Sequence, residues 1–148
     1  MIKLASAIAQ ISAPIEQVFS FVSNMENYQQ WFPGVIAIQA ADSLAVNTPG
    51  KTYIETLQLP DGEMELVITV DQYEANRLFQ TKGDLPGLLP QMTVQFSALP
   101  AGGCEISLAY HSRNPELTAS NEQVIQLREE LSIRAKQGLE TLSNLLES

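Results

Sequence analysis

The sequence predicts an α+β fold, a curved antiparallel sheet covered by one long C-terminal helix. Three observations predict it. First, three segments alternate apolar and polar residues with period two. Met64, Leu66, Ile68 and Val70 oppose Glu63, Glu65, Thr69 and Asp71; Met92, Val94, Phe96 and Ala98 oppose Gln91, Thr93, Gln95 and Ser97; Cys104, Ile106, Leu108 and Tyr110 oppose Glu105, Ser107 and His111. Antiparallel strands with one packed and one wet face read this way. Second, Val124, Leu127, Leu131, Ala135, Leu139, Leu142 and Leu145 recur every three or four residues, widened by Ile133 and Leu146. That stripe covers about six turns, a helix roughly 35 to 40 Å long. Third, the only other helical pattern is short and falls early. A sheet with one apolar face must be covered, and the long helix is the available cover.

Taken in order, residues 2–11 form a first strand. Pro14 suits the first turn of a helix, where its missing N–H costs nothing, and Ile15, Val18, Phe19 and Val22 make one apolar stripe behind it. Ser23 and Glu26 have the spacing of a capping box for a second short helix. That helix carries Tyr28, Trp31 and Phe32 and stops at Pro33-Gly34. Strands follow over 35–41 and 51–59, separated by a loop ending Pro49-Gly50 and closed by the turn Pro60-Asp61-Gly62. Arg77–Lys82 is a further short strand, and Pro100-Ala101-Gly102-Gly103 joins the last two strands as a hairpin. Ser120 and Gln123 have capping-box spacing at the start of the long helix.

Composition bounds the function. With 148 residues and 45% hydrophobic content, the chain suits one domain, residues 1–148, with a real core. No run approaches the roughly 20 apolar residues of a membrane span. The first residues, MIKLASAIAQIS, lack the long apolar stretch of a secretory leader, so the expected location is cytoplasmic and no stable membrane insertion is expected. The single cysteine excludes an internal disulfide framework. A net charge of −9 with eight scattered basic residues opposes nucleic-acid binding and otherwise serves solubility. Neither GxGxxG nor GxxxxGK[ST] occurs, and no histidine–cysteine group has metal-ligand spacing, so neither cofactor nor metal is expected.

At residues 11–35 the chain reads I-x-A-P-x-E-x-V-F-x-F-V-S-x-x-E-N-Y-x-x-W-F-P-G-V. This block, the strand pattern of Lys51–Glu74, the hairpin ending Gly102-Gly103-Cys104-Glu105-Ile106 and the closing helix resemble the SRPBCC superfamily over essentially the whole chain. The superfamily is also called START-like or helix-grip, and the resemblance is to its polyketide cyclase/dehydrase and lipid-transport branch. The superfamily often has Gly-Thr where this chain has Gly103-Cys104. The resemblance implies about seven strands gripping the C-terminal helix. It also implies an elongated cavity between them that takes lipids, sterols, polyketides, quinones or other apolar molecules. Some relatives are carriers or chaperones and some are cyclases.

Apolar stripes and family position together nominate a lining. From the early block come Trp31 and Phe32, which either line the cavity or staple the second helix to the sheet. The strands contribute Tyr53, Leu57, Leu66, Ile68, Phe79, Phe96 and Tyr110, and the long helix Leu131, Ala135 and Leu139. Gly83–Pro90 places Leu85, Leu88 and Leu89 in a loop, where polar residues are usual; it reads as a gate over the cavity, a segment folded onto the core, or a dimer contact. Gly138 reads as a bend that makes room for ligand, or as an incidental surface glycine.

Chemistry is sparse. Tyr53, Tyr110 and His111 are the only plausible proton donors for a cyclase or dehydratase. Cys104 and His111 fall on opposite faces if 104–113 is one regular strand, which opposes a dyad. His111 and Arg113 either form a polar patch with Glu55 or Glu105 that orients a head group, or an ion pair on the outer face. Glu63/Glu65 and Glu129/Glu130 read as solvated pairs. The expected function is binding or transport of a hydrophobic small molecule or lipid. The alternatives are a metal-free cyclase or dehydratase, and a protein-interaction or quinone-related assembly factor. Oligomeric state stays open.

Overall fold

The computed structural model describes residues 1–59 and 62–147. Strand β1 (Ile2–Ile11) leads into helix α1 (Ile15–Val22), a 3₁₀ turn (Met25–Asn27) and the single-turn helix α2 (Tyr28–Trp31). Strands β2 (Val35–Ala40), β3 (Thr52–Leu59), β4 (Gly62–Glu74), β5 (Leu78–Gly83), β6 (Pro90–Ala98) and β7 (Cys104–Ser112) follow, and helix α3 (Glu122–Leu146) closes the chain. They form one seven-stranded sheet in the order β1-β7-β6-β5-β4-β3-β2, antiparallel throughout. The first strand therefore returns beside the last, with Ile11 opposite Cys104 and Ile2 opposite Ser112. Register shifts at Lys3/Ala5, Val35/Ala37 and Val70/Gln72 mark bulges, which bend strands and increase their twist. The sheet curves, and α3 lies across β1 and against α2.

Period-two alternation becomes burial where expected. Leu66, Ile68 and Val70, Met92, Val94 and Phe96, and all of Cys104, Ile106, Leu108 and Tyr110 are in the core. The ends fall outside it: Met64 is largely exposed and Ala98 is exposed. Two aromatic clusters anchor the interior. Phe19 of α1 meets Tyr73 and Phe96 edge-on at 5.1 and 4.9 Å. Tyr28, Trp31, Phe32 and Tyr110 form the second cluster, with Tyr28 stacked on Phe32 at 5.2 Å.

Several local expectations are corrected. Pro14 is the residue before α1, not its first turn. Asn24, not Ser23, caps the following turn, accepting from the Glu26 amide at 3.1 Å. Likewise Asn121, not Ser120, caps α3, accepting from the amides of Gln123 and Val124 at 2.9 and 3.4 Å. Asparagine's short carbonyl reaches the amide two residues on, and in both cases it stands one residue nearer the helix than the serine. The α3 stripe is also narrower and rotated: Leu146 is buried while Ile133 and Leu145 stand exposed. Residues 60 and 61 of the expected Pro60-Asp61-Gly62 turn lie outside the described residues.

Candidate functional site

Between the sheet and the N-terminal half of α3 lies a cavity of about 140 Å³. Strand alternation sets one wall. Tyr53, Glu55 and Leu57 share a face of β3, and the last two reach the cavity. Leu66 and Ile68 of β4, Thr81 and Gly83 of β5, Met92 of β6 and Tyr110 of β7 continue that wall. Leu4 of β1, together with Met25, Tyr28 and Phe32 from the helical block, closes a second side. Leu127, Leu131 and Arg134 cover it from α3, Leu85 and Leu88 from the loop after β5, and Pro90 from the start of β6.

That loop is tied down from β7 and the residues after it. The Ser112 hydroxyl donates to the Leu88 carbonyl. The Arg113 guanidinium donates to the Gly83 carbonyl and the Asn114 amide to the Gly87 carbonyl, both at 2.6 Å. Leu89 takes a φ of 48°, a left-handed conformation that leucine seldom adopts. Leu85 and Leu88 pack against the core, so the three leucines form no exposed patch.

The wall is apolar apart from Glu55, Thr81, Arg134 and two tyrosine hydroxyls. Glu55 is only 5% exposed. Among the described residues no side chain forms an ion pair or hydrogen bond with its carboxyl. Burial alone pushes that carboxyl from 4.5 up to about 7, because the charged form loses its hydration. Arg134 packs against Gly34 and does not neutralise it. The Tyr28 and Tyr110 hydroxyls share a short hydrogen bond, and the Tyr110 hydroxyl also donates to Met92 Sδ at 3.2 Å. Burial raises both tyrosines well above their ordinary value; the neighbouring tyrosine and Glu55 add to the rise at Tyr28.

The nominated residues divide. Phe32, Leu57, Leu66, Ile68, Leu85, Leu88, Tyr110 and Leu131 are on the cavity wall. Trp31, Tyr53, Phe79, Phe96, Ala135 and Leu139 are buried in packed core away from it. Trp31 faces Gly138 of α3: a Cβ there would sit 3.2 Å from the Trp31 carbonyl oxygen and 3.3 Å from Phe32 Cδ1. Gly138 thus allows the two helices to touch; α3 runs unbroken through it, and it is not on the cavity wall. Tyr53 lies under the Lys51 ammonium, 5.1 Å from the ring centre, and burial pushes its hydroxyl up to about 12.

Of the three expected proton donors only Tyr110 reaches the cavity. His111 points to the other face of β7, opposite Lys3 in the register, and burial followed by the Lys3 charge lowers its pKa. Cys104 is at the far end of the same strand, buried, with its thiol pushed up by burial. The patch expected of His111 and Arg113 with Glu55 does not form, since Arg113 bonds the Gly83 carbonyl and Glu55 faces inward. Tyr28, Thr81 and Arg134 are polar wall residues absent from the nominated lining, and Glu55 is on the cavity wall rather than in the patch expected with His111 and Arg113. Glu55 and Tyr28 both carried a signal: Glu55 alternates in step with Tyr53 and Leu57, and Tyr28 sits one helical turn before Phe32.

Residues 1–147 match a family model described as polyketide cyclase / dehydrase and lipid transport. No curated protein sequence matches the chain. Among solved structures, a START superfamily protein from Mycobacterium smegmatis is similar at a TM-score of 0.75 and 14% identity, covering 98% of this chain and 97% of that one. A protein from Mesorhizobium loti is similar at 0.71 and 16%, covering 96% and 95%. The di-domain ARO/CYC StfQ from the steffimycin biosynthetic pathway is similar at 0.71 and 13%, covering 95% of this chain and 49% of that one. These likenesses establish the helix-grip fold. No helix among the described residues is long and apolar enough to cross a membrane.

Proposed function

Because the chain belongs to the polyketide cyclase/dehydrase and lipid transport family, we propose that it binds and carries a small hydrophobic molecule between the sheet and α3. The observation that carries this reading is the cavity itself, walled by apolar side chains from both layers with a few polar groups. Ligand sites have this composition, apolar walls for affinity and sparse polar atoms for orientation. A cavity of roughly 150 Å³ takes a benzene ring, so the resting volume of about 140 Å³ suits one ring. A lipid chain or a polyketide needs more room, which would require the loop from Gly83 to Pro90 to release its bonds to Ser112, Arg113 and Asn114.

Native mass spectrometry of the purified protein, mixed with a panel of fatty acids, sterols and aromatic compounds, tests the carrier reading. Uptake of at least one apolar compound is expected in the wild type. Leu131→Trp fills the cavity from α3 and is expected to cut uptake at least tenfold while far-UV dichroism stays native. Absence of uptake across the panel, or uptake untouched by Leu131→Trp, would overturn it.

A cyclase or dehydratase is the second reading. It is favoured by Glu55, a proton-bearing carboxyl near neutrality, on the same mostly apolar wall as the Tyr28–Tyr110 pair. A carrier returns its ligand with unchanged mass, whereas an enzyme returns a cyclised or dehydrated product. The assembly-factor reading needed an apolar patch at Leu85, Leu88 and Leu89, and those residues are half-buried.

A further inference from the structure

We propose that the cavity selects an apolar molecule carrying a protonated amine, with the Glu55 carboxylate as its counter-ion and the Tyr28–Tyr110 oxygens as neighbouring acceptors. The inference rests on the binding reading above and names its ligand class. Four observations carry it.

Glu55 is a buried acid with no partner among the described residues, lying on the wall of an otherwise apolar space. An unpaired buried carboxylate is expensive, and a ligand cation removes most of that cost by forming a charge-assisted hydrogen bond. The tyrosine pair supplies oxygens able to accept from an ammonium: the Tyr28 and Tyr110 hydroxyls bond each other, either one donating, and Tyr110 also lies within donating distance of Met92 Sδ. The same wall includes the rings of Tyr28, Phe32 and Tyr110, with Tyr28 stacked on Phe32, and an aromatic ring attracts a cation that reaches its free face. The net charge of −9 draws cations toward the molecule and repels anions. Arg134 is the one basic group on the wall, and it lies against Gly34 at the α3 side.

Binding follows the ionisation of Glu55. The other titratable groups facing it are Tyr28 from α2, Tyr110 from β7 and Arg134 from α3. Both tyrosines are raised by burial, and an arginine keeps its charge. Between pH 6 and 8 the carboxyl is therefore the wall group that changes charge. With its folded value at about 7, the ionised fraction rises about tenfold over that interval.

The test titrates the full chain with benzylamine, benzyl alcohol and toluene at pH 8 and pH 6, following binding by NMR. Benzylamine is expected to bind at least tenfold tighter than benzyl alcohol at pH 8, with that advantage reduced about tenfold at pH 6. Glu55→Gln keeps the side-chain shape and removes the charge; it is expected to abolish the amine advantage and retain the two neutral probes. Equal or weaker binding of benzylamine at pH 8, with the neutral probes bound, overturns the inference and leaves the binding reading standing. Retention of the amine advantage in Glu55→Gln likewise overturns it. Failure of all three probes, together with no uptake across the apolar panel, removes the binding reading and this one with it.

Discussion

Gly103 shows how far one residue can be committed by its place in the chain. Its φ is 80°, and a Cβ built there would lie 2.6 Å from the Ile11 carbonyl oxygen. Two penalties coincide, the left-handed backbone and a clash with backbone that cannot rotate away. Gly103→Ala is expected to cost about 3 kcal/mol of folding stability, read from the shift of the urea midpoint; a loss below about 0.5 kcal/mol would contradict the packing described. At this scale the sequence is a partial guide. The Gly102-Gly103 pair is legible as a hairpin turn, but the contact with Ile11 is not, because it depends on β1 pairing with β7. Glu55 is the same case reversed. Its alternation with Tyr53 and Leu57 places it on the inner face, yet a carboxylate there contradicts the usual rule for charge.

Helix α3 is the element on which the site depends. Its N-terminal half presents Leu127, Leu131 and Arg134 to the cavity, whereas from Ala135 onward it is packed tightly. The change of role coincides with Gly138, where α3 meets Trp31 and Phe32. Gly138→Val drives branched carbons into the Trp31 backbone, which outweighs valine's better helix propensity than glycine. A loss of about 2 to 3 kcal/mol is expected, together with a changed near-UV signal from Trp31. Unaltered stability and tryptophan spectrum would show that α2 yields freely. The helix itself is legible from its stripe and length, and the strands from their alternation and the turn residues between them. The caps are not, since Ser-x-x-Glu and Ser-x-x-Gln spacing competes with an adjacent asparagine, and only backbone geometry decides between them.

For the whole molecule the consequence of a buried, unpaired acid is a pH-dependent fold. The Glu55 carboxyl is raised from 4.5 to about 7 in the folded chain. Between those values the folded state holds a proton that the unfolded state has lost, so stability is full below the lower value and falls as pH rises to the upper one. The loss is about 3 kcal/mol. Asp42 acts in the opposite sense at acid pH. Hydrogen bonds from the Thr52 amide and hydroxyl, the Leu44 amide and Lys51 hold it at about 2, so its contribution is lost as pH falls from 3.8 toward that value. Thermal midpoints are expected to be higher at pH 5 than at pH 8, and Glu55→Gln to flatten that slope and exceed the wild type at pH 8. A slope that survives in Glu55→Gln would place its origin elsewhere. By itself the sequence determined the α+β class, the strand and helix positions and the apolar character of the interior, because periodicity is a local property of the chain. Only the tertiary structure decided where the interior stays hollow, that Trp31 and Gly138 close a contact while Phe32 and Tyr110 line a space, and that Glu55 faces that space with no ion-pair partner among the described residues. Cavities and unpaired charges arise from the distances between elements far apart in sequence, and no local pattern records those distances.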